Sequence, residues 1–223
     1  MDGIGYGLLV YLHVLLFTFW LGADAGVFLL GQNFRRREYD LPTRLTLLKL
    51  LVALDMLPRS AWALMVPSSL SLVVAGGWAE LPQLLLWTAW AVGGAWLYLL
   101  WDGHLHDGTP RAAKVRRLEQ PLKWLVMLFY LWLGVVSVET GWPLQPAWLA
   151  WKALLFAAIF FAAIMIDLRF KPVGPLLKRL VAEGSSDVTE TPLLAAMNRT
   201  RAWVFTIYAL LVVTSFLGNA KPL

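Results

Sequence analysis

Residues 8–32, LLVYLHVLLFTFWLGADAGVFLLGQ, run for twenty-five positions without a Lys, Arg or Glu. At ~1.5 Å of helical rise per residue that exceeds the ~30 Å hydrocarbon core of a bilayer. Yet the run carries His13 and Asp24. The spacing 13, 17, 20, 24 sets His13, Phe17, Trp20 and Asp24 on one helical stripe. An imidazole and a carboxylate are both costly in hydrocarbon unless partnered, so the stripe is expected to face protein.

The rest of the chain is of the same kind. Of its 223 residues 59% are hydrophobic and 15% charged, where a soluble domain carries about 25% charge. The composition is that of an integral membrane protein. The pI of 9.6 then reports basic loops and not a nucleic-acid partner. The absence of Cys excludes disulfides, thiolate catalysis, iron–sulfur clusters and Cys-bound zinc. The start lacks a basic n-region and its apolar run is too long for a cleaved signal peptide. The first span is expected to act as its own insertion signal.

Six apolar spans are expected, at about 5–32, 46–78, 82–102, 121–139, 147–168 and 192–217. They predict an all-α, six-transmembrane-helix bundle forming a single domain over 1–223. The second span is interrupted by Pro58 and Pro67. Thr191–Pro192 reads as an N-cap and first helical residue of the last span. Sixteen of the nineteen basic residues fall in three alternate loops, 33–49, 103–123 and 168–201. The connections 79–83 and 139–148 have none. The positive-inside rule therefore predicts both termini outside and the basic loops in the cytoplasm. Trp78, Trp142 and Trp148 fall near the outer interface. PLLKRLV at 175–181 reads as a short interfacial amphipathic helix, and 183–191 as a polar turn. Gly22, Gly26, Gly93 and Gly94, with Ala157, Ala158, Ala162 and Ala163, mark close helix contacts.

The second span adds LDMLPRSAW at 54–62. Asp55 and Arg59 stand at i and i+4 and can pair on one face. Pro58 frees a backbone carbonyl in the turn before it. Counting depth from the span ends sets His13 level with Arg59 and Asp24 level with Asp55. These four are expected to form one intramembrane site, with Asp24, Asp55 and Arg59 as its proton-handling or catalytic groups. The plainer alternatives are a self-neutralising Asp55–Arg59 pair and a hydrogen-bonded packing histidine.

At the end of the third span, WDGHLHDG at 101–108 offers Asp102, His104, His106 and Asp107. Imidazole and carboxylate suit a divalent metal, so His13, His104 and His106 are the candidate metal ligands. A solvated helix end with turn-forming Gly and Asp is the plainer reading. Depth excludes pairing either His with His13 on one iron. Lys152 and Glu139 read as snorkelling anchors.

The stretch His13-x6-Trp20-x-Gly22, YLHVLLFTFWLG, resembles the opening helix of the HemJ-type protoporphyrinogen oxidases. It is also similar to CopD-like copper-resistance and DUF2269-like bacterial membrane proteins. The DMLPR segment at 55–59 is similar to second-helix motifs of that group. The resemblance implies b-type haem on His13, a porphyrin or quinol partner and a multi-pass place in the bacterial inner membrane. Arg59 would then pair with a propionate, Phe17, Trp20 and Trp62 would line the macrocycle, and Met56 would be the best-placed sixth ligand. This chain departs from the group in having six spans where HemJ-type proteins have four, and in lacking a second well-placed His.

Three functions compete at this point. One is a haem-b redox protein working on a porphyrin or quinol. The second is a proton-coupled or metal-cation transporter or channel using Asp24, Asp55 and Arg59, with the Pro-broken second span as its discontinuous helix. Six spans without an inverted repeat make a small transporter, which points to a homo-oligomer in that case. The third is a non-catalytic, lipid-interacting subunit. No GxSxG elbow, P-loop or dinucleotide fingerprint occurs in a usable context.

Overall fold

The computed structural model describes residues 3–222 and is all-α. Its helices are α1 (Gly3–Phe34), α2 (Leu41–Ala75), α3 (Gln83–Leu105), α4 (Pro110–Thr140), α5 (Ala147–Phe170), α6 (Val173–Glu183) and α7 (Asp187–Ala220). Six are long and apolar enough to cross a membrane; α6 is the short one. Large side chains stay uncovered around the bundle, among them Leu8 at 63%, Trp87 at 66% and Phe216 at 63% exposure. A belt of that kind is satisfied by acyl chains and not by water. The chain is a multi-pass membrane protein.

The helices run past the apolar spans at the ends that carry basic residues. α2 begins at Leu41, capped by Asp40, whose side chain accepts from Thr43 N at 3.0 Å. α4 begins at Pro110 behind Thr109. Arg44, Lys49 and Arg111 to Lys123 are therefore helical where loops were expected. α2 also stops at Ala75, three residues short of the expected 78.

The largest difference lies before the last span. Only 184–186 break the chain between α6 and α7, so 187–191 is helix and not turn. Ser186 is the N-cap and its N–H donates to Thr189 Oγ1 at 3.0 Å. Asp187 and Glu190 add acidic charge to the first turn, where the helix dipole favours it. That start outweighs the Thr191–Pro192 signal, and Pro192 is carried inside the helix at the loss of one backbone donor.

The helices zigzag, so α1–α2, α3–α4 and the α5–α6–α7 connections share one face, here the basic face. Gly3 of α1 and Ala220 of α7 lie on the opposite, terminal face. α1 packs on α2, α2 on α3, α3 on α4, α4 on α5 and α5 on α7. Gly26 and Gly93 make two of these approaches possible. A Cβ at Gly26 would meet Leu54 at 2.9 Å, and one at Gly93 would meet the Pro67 ring at 2.9 Å. Gly22 and Gly94 have open space instead.

On the terminal face the two basic-free connections pair with each other. Glu80 N donates to Pro143 O at 3.2 Å and Gln145 N to Trp78 O at 3.0 Å. Trp78 packs edge-on to Trp148 and under the Lys221 ammonium. On the basic face α6 buries Val173 and Leu180 against Phe34, Leu193 and Ala196. Beneath this cover Arg44 is fully buried and forks onto Glu190, with Nη2 2.9 Å from Oε2, while its Nε donates to Phe34 O at 2.7 Å. Arg35 bonds Asn198, and Arg37 bonds Asp187 at 2.5 Å. The α1–α2 loop and the start of α2 are joined by charge to α7 at this face.

Candidate functional site

Two aromatic contacts fix the register of the helices around the site. Trp20 of α1 lies 6.1 Å from Trp62 of α2, and 6.3 Å from Phe156 of α5. Trp62 is in turn 4.5 Å from Phe160 and 5.1 Å from Trp96. These rings form one contacting layer that joins α1, α2, α3 and α5. Polar side chains gather on its basic-face side.

Asp55 and Arg59 pair as the i, i+4 spacing predicts, with Nε 2.5 Å from Oδ2. Asp24 lies within electrostatic reach of both. Its carbonyl accepts from the Tyr208 hydroxyl of α7 at 3.0 Å. The structure thus brings Asp24, Asp55 and Arg59 together.

It does not bring His13 to them. His13 is seven residues above Trp20 toward the terminal face, and Arg59 three residues below Trp62 toward the basic face. With Trp20 and Trp62 level, about 15 Å along the helix axes separates His13 from Arg59. The expected depth of His13 was too shallow: nineteen residues separate it from position 32, a rise of about 28 Å. Its charged neighbour is Lys152 of α5 instead, and its Nδ1 is buried without a hydrogen-bond partner.

Three further groups complete the array, and the sequence reading did not select them. Lys123 of α4 donates to Glu119 Oε1 at 2.9 Å and to Asp167 Oδ2 of α5 at 2.8 Å. Trp96 Nε1 reaches Glu119 Oε1 at 3.4 Å, and the Lys123 ammonium sits 5.4 Å from the Trp62 ring centroid. Glu119 and Asp167 also lie within electrostatic reach of Arg59. Lys123 is 3% exposed and Glu119 8%, so these are interior charges and not loop residues. The missed signal was the i, i+4 pair Glu119–Lys123, which reads as loop charge while α4 is thought to start near 121.

Four carboxylates, Asp24, Asp55, Glu119 and Asp167, therefore face two cations, Arg59 and Lys123. Their formal sum is negative. Arg59 keeps 42% of its side-chain surface although acids of α1, α4 and α5 surround it, and Asp55 keeps 23%. The arrangement can hold a positive charge or pass a proton between carboxylates. Its cations compete with whatever enters.

The haem ligand set does not assemble. Met56 is buried six residues below Trp62, which places it about 20 Å along the axes from His13. Two ligands of one iron stand about 4 Å apart. Trp20 and Trp62 pack into the aromatic layer, with Phe17 against its edge. Arg59 is held by Asp55 far from His13. The residues named for haem b do not form one site.

At the α3–α4 turn, Arg111 takes both oxygens of Asp102, with Nε 2.8 Å from Oδ2. Arg116 holds the exposed Asp107 carboxyl below its usual range by hydrogen bonding. His106 Nδ1 lies 2.9 Å from Asp102 O, and His104 packs edge-on to Trp101. Among the described residues no group of three or more His, Asp and Glu is arranged to hold a metal ion.

Comparison with protein-family models, curated proteins and solved structures gives no match.

Proposed function

We propose that this protein moves protons or small cations across its membrane, with Asp24, Asp55 and Arg59 at the centre of the path and Glu119, Lys123 and Asp167 beside them. The observation that carries this reading is the acid excess inside the bundle: four carboxylates against two cations, on the basic-face side of the aromatic layer. Intramembrane charge of that density costs stability, and substrate or proton handling is its usual return. Arg59 and Lys123 act as internal counter-ions that keep the empty site neutral enough to persist in a low dielectric. A proton or cation arriving at the carboxylates displaces them. The positive-inside distribution supports a cytoplasmic basic face, and this reading takes the membrane to be a bacterial inner membrane. A homo-oligomer suits the small size of the bundle.

The test is flux in proteoliposomes carrying a pH-sensitive dye, driven by an imposed membrane potential. The wild-type protein should acidify or alkalinise the lumen faster than empty liposomes. Asp24→Asn together with Asp55→Asn should abolish the difference. Flux that survives both substitutions rejects the reading. The competing redox reading would rest on His13 alone, whose Nδ1 has no partner. An oxidised and a dithionite-reduced spectrum separates the two, because a protein without a Soret band after haem supplementation is not a haem protein.

A further inference from the structure

Where α5 ends and α7 begins, a recess of about 420 Å³ opens on the basic face, lined by Leu168, Arg169, Pro172 and Arg199. We propose that this recess binds the phosphate of an anionic phospholipid headgroup, held between the Arg169 and Arg199 guanidinium groups.

The acids near this recess are already committed to other cations. Asp187 is taken by Arg37, Glu190 by Arg44, Asp167 by Lys123 and Glu183 by Arg179. No carboxylate is left for the recess, and neither Arg169 nor Arg199 has an acidic partner among the described residues. Like charges gathered without acids repel, and a bound anion relieves the repulsion. Guanidinium is the side chain whose planar donors match phosphate oxygens two at a time.

The Arg169 guanidinium lies 5.2 Å from the Trp203 ring centroid, so it is held at the recess wall and not free in solvent. The apolar flank beside it favours a lipid over a free anion. Trp203 continues into Phe161, with rings 5.7 Å apart, and Phe161 is 40% exposed on the outer surface of the bundle. A headgroup between the arginines would lay its acyl chain along that apolar flank. A basic pocket between transmembrane helices at the positive face is where anionic headgroups bind.

Native mass spectrometry of the full chain in detergent tests this, with phosphatidylglycerol and phosphatidylcholine of matched acyl chains as probes. The wild-type protein should hold phosphatidylglycerol roughly tenfold more tightly than phosphatidylcholine. A control variant, Lys114→Gln with Arg117→Gln on α4, removes the same charge elsewhere and should keep that preference. Arg169→Gln with Arg199→Gln should lose it. Equal binding of the two lipids by wild type, or an unchanged preference in the Arg169/Arg199 variant, overturns the proposal. Displacement of phosphatidylglycerol by inorganic phosphate alone also overturns it, by assigning the recess to a soluble anion.

Discussion

The Lys123 ammonium lies 2.8 Å from Asp167 Oδ2, and this one contact ties α4 to α5 at the level where the bundle also buries Glu119. Removing the cation leaves two carboxylates in a site that hydrates them poorly. Lys123→Met is expected to lower stability by about 3 kcal/mol. Adding Asp167→Asn and Glu119→Gln to it should restore most of the loss. Thermal unfolding in detergent reads both, and a Lys123→Met protein with the wild-type midpoint would mean that water reaches the array freely.

The Arg44–Glu190 fork makes a similar prediction at the basic face, with less water nearby. Both side chains are essentially unexposed. Arg44→Ala should cost about 3–5 kcal/mol, since Glu190 is left charged and buried. Arg44→Met with Glu190→Leu should cost far less, because an apolar pair of similar volume needs no hydration. The comparison requires only unfolding midpoints of the two variants.

Two glycines should respond with opposite sign to the same substitution. At Gly134 an added Cβ would come within 2.6 Å of Leu154 Cγ and 2.9 Å of its backbone N, so α4 and α5 must separate. Gly134→Ala is expected to destabilise by about 1–3 kcal/mol. At Gly94 nothing lies within 4 Å, and Gly94→Ala should stabilise α3 by about 0.5–1 kcal/mol through helix propensity. Parallel melts of the two variants check the ordering.

The cap of α2 should titrate. Hydrogen bonds from Thr43, side chain first and backbone second, hold the Asp40 carboxyl below its ordinary value of 3.8. A depressed folded value means that the cap is fully present above the ordinary value and is lost as pH falls through the folded one. Hydrogen-exchange protection of the Thr43 amide, corrected for intrinsic rate, should therefore drop only in acid below about pH 4. Asp40→Asn should keep the protection and remove its pH dependence.

The apolar runs and the alternation of basic loops made six crossing helices legible, because both are properties of long stretches that tolerate small errors of position. The Asp55–Arg59 pair was legible for a similar reason, being local to one helix. The depth of His13 was legible as well, since nineteen residues to position 32 rise about 28 Å and already set it apart from Arg59. The Trp20–Trp62 contact confirms the separation by fixing the register of α1 on α2. Glu119 and Lys123 were hidden by a helix end, whereas Asp167 lay inside the expected fifth span. An apolar run marks where hydrocarbon begins, whereas α4 starts eleven residues earlier, at Pro110, where Thr109 caps it. Glu119 thus passes from presumed loop to interior. The Ser186 cap had the same effect before Pro192.

Arg44 and Glu190 are separated by 146 positions in the chain. At about 5–20 residues per second, a ribosome finishes Arg44 on the order of ten seconds before it reaches Glu190. During that interval the early guanidinium has water as its partner. The ring of helices therefore closes as one of the last events of biogenesis, after five crossings are already in place, and a nascent chain halted before α7 would present an open-sided intermediate to quality control.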